Sequence, residues 1–504
     1  MTAKRYLWIL FVFFALAGCD DLEDTYSDYA GDGQIRYLTK CSDVKIVPGW
    51  EKLNMTWKNS TDPVVDSIRI TWTLDKNTKK VMLPPTSTAY TIEGLKEEGS
   101  YEVTICGVDN AGNTSLVITN YVRPYTANHE TILNFPRLVQ KHFFVEDNLI
   151  IYFSTWTDMI KSAYLTYTRK SDNTEQKLLL SSDFVTANKY YRLEDVKEDG
   201  VVLLYRNGNI EGEVVPLAGI ELDKKHSFSV DFKTLFREKF GVENPTVEQL
   251  NSISELDINY SLNSLEDILY LPNLKRLNLA GNRYQYEPEL SNYYNTTSVL
   301  YDDINRSIFA LEIAHEVYGL EVYRYNKHFL PDMAENAYFH HAGNPVEPTL
   351  NYLSTEDWNI TEEPGEEEGI PSTIKNMFDM NFSTNWAPTT QAAWREHIIT
   401  LSRSEKKTVH GIRLVQPSFA TNGFVNSKLS PTVVKIQVSE NGYDWENATY
   451  LEENTLGTTS REATIIHFPE PKDILMIRFI FNDQLRFAPP LYTWIPEVRV
   501  RAIS

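Results

Sequence analysis

Apolar and polar residues alternate in three early stretches: Leu53, Met55 and Trp57, then Ile68, Ile70 and Trp72, then Tyr101, Val103 and Ile105. A period of two puts alternate side chains on one face, so each stretch is predicted to be a half-buried strand. Pro84-Pro85, Glu97-Glu98-Gly99 and Asp109-Asn110-Ala111-Gly112-Asn113 supply the turns between and after them. Residues 32–124 therefore read as a small sandwich, with Trp57 and Trp72 on the inward phase and assigned to its core. Three further runs, Leu149–Phe153, Ala163–Tyr167 and Val201–Tyr205, predict a second, less regular sandwich over 125–230.

At 231 the period changes. Phe232 to Phe240 has helical spacing with Gly241 as its stop, and Leu256-Asp257-Ile258 is echoed at Leu277-Asn278-Leu279. Ile308 to Tyr318 is helical again. The stretch from Leu274 to Asn282 resembles the leucine-rich repeat pattern L-x-x-L-x-L-x-x-N. That resemblance implies a short strand whose Asn282 bonds the backbone of its own turn. Two repeats cannot bury their apolar faces alone, so 231–360 is expected to stack on its neighbours as a rigid α/β spacer. His315-Glu316 lacks a second histidine four positions on, where Gly319 stands, and His340-His341 are adjacent, so neither pair has the spacing of a zinc-protease helix. Glu362 to Gly369 is acidic and without apolar residues, and 361–373 is predicted to be an extended linker.

The chain opens with Lys4-Arg5, an apolar run from Tyr6 to Phe14, and Leu16-Ala17-Gly18-Cys19. The run is short of the ~20 residues needed to cross a bilayer, so 1–18 is a secretory signal rather than a permanent span. It resembles bacterial lipoproteins, which implies cleavage before Cys19 and covalent lipid on that residue, with 19–31 as a tether. Asp20-Asp21-Leu22-Glu23-Asp24 is similar to the export tag that glycan-foraging Gram-negative bacteria use to place lipoproteins on the outer face of the outer membrane. The same run also serves as a plain solvated spacer. Cys41 and Cys106 remain; alternation turns Cys106 outward from its strand, so a bridge needs Cys41 on the same surface, and two unpaired thiols are the alternative. Loss of Lys4 and Arg5 takes the net charge from −21 to −23. That field repels nucleic acid and anionic headgroups and leaves neutral ligands such as glycans open.

Two of the modules resemble known families. Leu95 followed by Tyr101 is similar to the tyrosine corner of fibronectin type III domains, and the region also resembles an N-terminal domain of unknown function in surface lipoproteins of glycan-foraging bacteria. Residues 374–504 resemble the discoidin, or coagulation factor five/eight type C, family of jelly rolls, which often bind carbohydrate. The stretches that carry this are Asn376 to Trp386, His397 to Leu401, Val438 to Trp445, Ile477-Arg478-Phe479 and Ile495 to Val498. Met380, Asn381 and Asn441 depart from the glycine and aspartates usual there. The expected fold class is thus mainly β and multidomain: sandwiches, a short leucine-rich α/β segment and a C-terminal jelly roll.

Candidate chemistry concentrates in this last module. Asp379, Asn381 and Thr384 gather oxygen ligands in one loop, and the resemblance adds Glu497, implying a structural calcium ion weakened by the loss of one carboxylate at Asn381. An ion-free Asx turn is the other reading. Sugars need a flat apolar face and hydrogen-bond partners. Residues of both kinds recur in loops as Trp394 and Arg395, Asn422 and Phe424, and Asn482, Arg486, Phe487 and Tyr492. Each could instead close the barrel end or touch the neighbouring module. Trp386, Trp445 and Trp494 sit in core motifs. The predicted function is non-catalytic glycan binding beside a TonB-dependent importer and its partner lipoprotein. A protein-docking subunit is the first alternative and a glycosidase the second, for which no stretch is left to build a catalytic domain.

Overall fold

The computed structural model describes residues 38–286, 298–363, 365, 371–379, 381, 384, 386, 396–416, 431–457, 459–482 and 497–502, with backbone alone for Asn482 and 497–502. The protein is mainly β and multidomain.

The first sandwich packs a three-stranded sheet (Ser42–Gly49, Lys52–Lys58, Ala89–Glu93) on a four-stranded one (Asn77–Leu83, Ser67–Leu74, Tyr101–Val108, Ile118–Val122). The alternating residues meet between them: Leu53, Met55, Trp57, Ile68, Ile70, Val103 and Ile105 are buried. Trp72 is only half-buried and packs at the edge of this core. The Tyr101 hydroxyl reaches the Glu97 carbonyl at 3.4 Å, tying the preceding turn to the strand. Cys106 is 2% exposed, because packing covers the face that alternation assigns it to, and Cys41 is equally buried; both are free thiols. Burial raises the Cys41 pKa, with a smaller rise from Cys106.

In the second sandwich a sheet of Glu175–Leu180, Ile160–Thr168, Leu203–Ile210 and Glu213–Pro216, with Ile220–Glu221, faces one of Tyr190–Leu193, Asn148–Phe153 and Val139–Val145. Asn148–Phe153 is buried at every residue. The cause is that it serves two cores: Leu149, Ile151 and Phe153 point into the sandwich, while Ile150 and Tyr152, with Phe143 and Val145, join the core of the next unit. An apolar run without alternation is what two covered faces demand.

That next unit holds four parallel strands, Glu255–Ile258, Arg276–Leu279, Glu321–Tyr325 and Phe339–Gly343, in chain order. Leu256, Leu277, Val322 and Phe339 stack in register down its inner face. The sequence pattern predicts the first two strands only; connections of unequal length hide the other two. The helix Val230–Phe240, capped by Ser229 and stopped by Gly241 at φ 74°, and the helix Ile304–Tyr318 cover the stack. Arg306, 9% exposed, pairs with Glu266 and Gln140, and Lys141 reaches Glu266 and Asp267, so charged groups also tie the second sandwich to the stack.

The C-terminal unit is built on a bent pair of long antiparallel strands, Glu396–Val415 and Glu462–Asn482, flanked by Asn359–Glu363, Val433–Ser439, Glu446–Asn447 and the closing Glu497–Ala502. Ile399, Leu401, Ile436, Val438, Ile477, Phe479 and Trp386 fill its core. Its first strand lies ahead of the 374 boundary set by the motifs. Asn359–Glu363 pairs with the strand at Glu396, and the Trp386 indole donates to Glu362 Oε2 at 2.6 Å, so the front of the acidic 361–373 stretch is structured strand and not free linker.

Candidate functional site

The loop predicted to hold a cation is an Asx turn by its hydrogen bonds. Asp379 Oδ1 accepts from the Asn381 N–H at 2.8 Å, and Oδ2 from the Thr384 hydroxyl at 2.6 Å; the Asn381 carbonyl lies 2.8 Å from the same hydroxyl. Both carboxylate oxygens are thus engaged within the turn. Calcium takes six to eight oxygens; the described residues of this loop supply one carboxylate, one hydroxyl and one carbonyl. Glu497 begins the closing strand opposite Val415, and that strand runs beside Ile374–Met377, the turn ahead of Asp379. No group of three or more metal-ligating side chains occurs among the described residues.

Of the predicted sugar contacts, Trp394, Arg395, Asn422, Phe424, Arg486, Phe487 and Tyr492 lie outside the described residues, as do Cys19 and Trp494. Asn482 ends its strand opposite Glu396. Of the core tryptophans, Trp386 is 1% exposed, but Trp445 is half-buried with the Arg478 guanidinium 4.2 Å over its ring, and Tyr443 beside it is 86% exposed. The turn between these aromatics is shaped by Asn441, whose Oδ1 accepts from the N–H groups of Tyr443 and Asp444, with Gly442 at φ 82°. Asn441 thus does the structural work of the aspartate usual at that place.

His315 bonds the Leu320 carbonyl through Nδ1 at 2.9 Å, His340 meets Glu321 at 2.5 Å, and His341 meets the Met333 carbonyl at 2.9 Å. Each histidine holds a local turn or strand pair.

The parallel stack and the C-terminal unit share one sheet. Arg283–Gln285, just past the second parallel strand, pairs antiparallel with Glu462–Thr464. Asn282 corrects the repeat-based expectation: its side chain donates to the Ile465 carbonyl of the C-terminal unit, not to its own turn. Behind this pairing lies a fully buried polar chain. His328 Nε2 meets Glu462 Oε1 at 2.6 Å, while Nδ1 faces Arg283 Nη1 at 3.2 Å and the Ser298 N–H at 3.1 Å. Two donors at Nδ1 assign the proton to Nε2, so the imidazole is neutral and relays between a guanidinium and a carboxylate. Burial lowers the His328 pKa, in keeping with that tautomer. Burial alone would raise the Glu462 pKa, but His328, the Thr459 N–H and Arg283 outweigh it and bring it to about 2. No local sequence signal marks this junction, because its partners lie far apart along the chain.

A family described as a domain of unknown function matches residues 19–204, taking in the first sandwich and most of the second. A comparison with curated proteins finds no match. Similar solved structures include the C-terminal domain of a chitobiase from Bacteroides fragilis, at 19% identity, 30% of this chain, 98% of that chain and TM-score 0.23. A family 32 carbohydrate-binding module from Streptococcus pneumoniae stands at 14%, 30%, 99% and 0.24, and a two-domain fibronectin type III segment from chicken tenascin at 12%, 36%, 97% and 0.19.

Proposed function

We propose that this is a non-catalytic glycan-binding lipoprotein, held on the outer membrane surface by lipid on Cys19 and working beside a TonB-dependent importer. The supporting observation is strand register. Glu396 sits opposite Asn482, and Lys435 opposite Ile480. The segments 387–395, 417–430 and 483–496, which carry the predicted sugar contacts, therefore each join the sheet at one end: the first runs into Glu396, the second into the strand starting at Val433, and the third leaves Asn482. The aromatic residues and arginines that the sequence carries in these segments suit a ligand with an apolar face and vicinal hydroxyls.

The test is a glycan array followed by calorimetry on the full mature chain. The expected result is binding weakened at least tenfold by Trp394→Ala and by Arg486→Ala. An array with no bound glycan would remove this function, and capture of an importer subunit without sugar dependence would put protein docking in its place. A structural calcium ion at Asp379, Asn381, Thr384 and Glu497 belongs to the same reading. Chelation should then lower the melting temperature, and an unchanged melt would eliminate the ion.

A further inference from the structure

A cleft of about 410 Å³ opens between the second sandwich and the parallel stack. Gln140, Lys141 and His142 of the edge strand Val139–Val145 line it on the sandwich side, with Tyr270 on the stack side and Ser227 in the segment that joins the two. The walls are pinned to one another. His142 Nε2 meets the Asp223 carbonyl at 2.7 Å, the Ser227 N–H donates to the Tyr270 hydroxyl at 3.3 Å, and Asp267 accepts from the Ser229 N–H at 2.7 Å while pairing with Lys141. A cleft of fixed width binds without the cost of ordering its walls.

Part of this cleft carries positive charge that nothing balances. Arg137 is exposed on its lining and has no hydrogen bond or ion pair among the described residues. Beside it Arg206, 6% exposed, donates from Nη1 to the carbonyls of Phe135 and Pro136, at 3.3 and 2.5 Å, and has no carboxylate partner among the described residues either. Arg206 lies too deep to touch a ligand, so its charge acts on Arg137 only as a field. Burial lowers the Arg206 pKa and Arg137 lowers it further, as neighbouring like charges do. Glu221 and Asp223 also line the cleft, yet neither forms an ion pair with these arginines; the cation Asp223 approaches is Lys225, at 4.0 Å. Lys141, by contrast, is balanced by Glu266 and Asp267. An accessible, unpaired guanidinium in a chain of net charge −21 selects an anion, and its planar fork suits a carboxylate.

Away from Arg137 the hydrogen bonding is two-sided. The Tyr270 hydroxyl accepts from Ser227 and keeps its own proton to donate, Gln140 gives Oε1 to Arg306 at 2.9 Å and keeps its amide N–H groups, and the Ser227 hydroxyl takes either role. A ligand can reach all three, since Tyr270 is half-buried and Gln140 and Ser227 are exposed. The Tyr270 ring adds a carbon face. The volume falls within the ~300–1,000 Å³ of small-molecule sites and leaves room for a ring with its substituents. Scattered donors and acceptors match hydroxyl groups, which play both parts, and Arg137 matches a carboxylate. A small ring bearing hydroxyls and one carboxylate is a sugar acid. A bare inorganic anion would engage Arg137 and leave the rest of the cleft unused.

We propose that this cleft binds one uronic acid residue, its carboxylate on Arg137 and its hydroxyls on Tyr270, Gln140 and Ser227. The site shares no residue with the rim loops, so each reading can fail alone. Calorimetric titration of the full mature chain with glucuronate and galacturonate should give saturable binding of at least one. Arg137→Ala should weaken that binding at least tenfold; because Arg137 bonds nothing in the chain among the described residues, the variant should keep the wild-type melting temperature. Arg486→Ala should leave the binding within twofold. Absence of binding by both uronates, or binding indifferent to Arg137→Ala, overturns the proposal. Acetate that displaces the uronate at equal concentration reduces the site to one for a simple anion, and binding abolished by Arg486→Ala puts the sugar at the rim; either result likewise overturns it.

Discussion

Asn282 and Ile465, 183 residues apart, exchange two hydrogen bonds: Asn282 Nδ2 donates to the Ile465 carbonyl at 2.9 Å, and the Ile465 N–H returns to the Asn282 carbonyl at 3.0 Å. One residue thus extends the stack's strand into the C-terminal sheet. Asn282→Ala leaves the carbonyl of a buried residue short of a donor and should cost about 1–2 kcal/mol in denaturant unfolding. A loss below a few tenths would mean that strand pairing alone joins the units.

Glu462 should give the junction a pH signature. Its pKa is about 2 in the folded chain and about 4.3 when unfolded. A depressed carboxyl contributes stability that is complete above its unfolded pKa and is lost as pH falls through its folded pKa. The melting temperature should therefore drop between about pH 4.5 and pH 2. Glu462→Gln strands Arg283 without its counter-charge and should cost about 3–5 kcal/mol at pH 7, with the two melting curves converging toward pH 2. Parallel curves across that range would refute the assignment.

Gly411 sits at an irregularity in the long strand pair, where a β-carbon would strike the Ile466 carbonyl and crowd the His467 backbone. The obstacle is backbone and cannot swing aside as a flexible side chain would. Gly411→Ala should destabilise by about 1–3 kcal/mol, and calorimetric melting of the purified variant would read it. A wild-type melt would mean that the ladder can shift there.

Cys41 and Cys106 are both buried, and burial holds the Cys41 thiol in its less reactive protonated form. A thiol-reactive dye should label neither in the folded protein and both in denaturant. Rapid labelling without denaturant would show that the first sandwich opens on the labelling timescale.

Much of this architecture is legible from local periodicity. Leu53, Met55 and Trp57 announce their strand, and Phe232 to Gly241 announces its helix and stop. The corner at Tyr101 and the core position of Trp386 also follow from short motifs. The third and fourth parallel strands do not, since Val322 and Phe339 carry no repeat motif and follow connections of different length. Cys106 misleads, because alternation assigns it to the outer face while packing covers it. The junction is hidden for a deeper reason: Arg283 and Glu462 look like ordinary surface charges until strands from two modules meet. The predicted rim contacts fall outside the described residues, so what is legible of that site is where its three segments join the sheet.

The doubly covered strand Asn148–Phe153 bears on how the chain can be divided. A fragment ending at 230, where the sequence pattern changes, would leave Phe143, Val145, Ile150 and Tyr152 facing water as a contiguous oily patch. Such a piece should self-associate when expressed by itself. Its solubility would then depend on residues that lie beyond its own end.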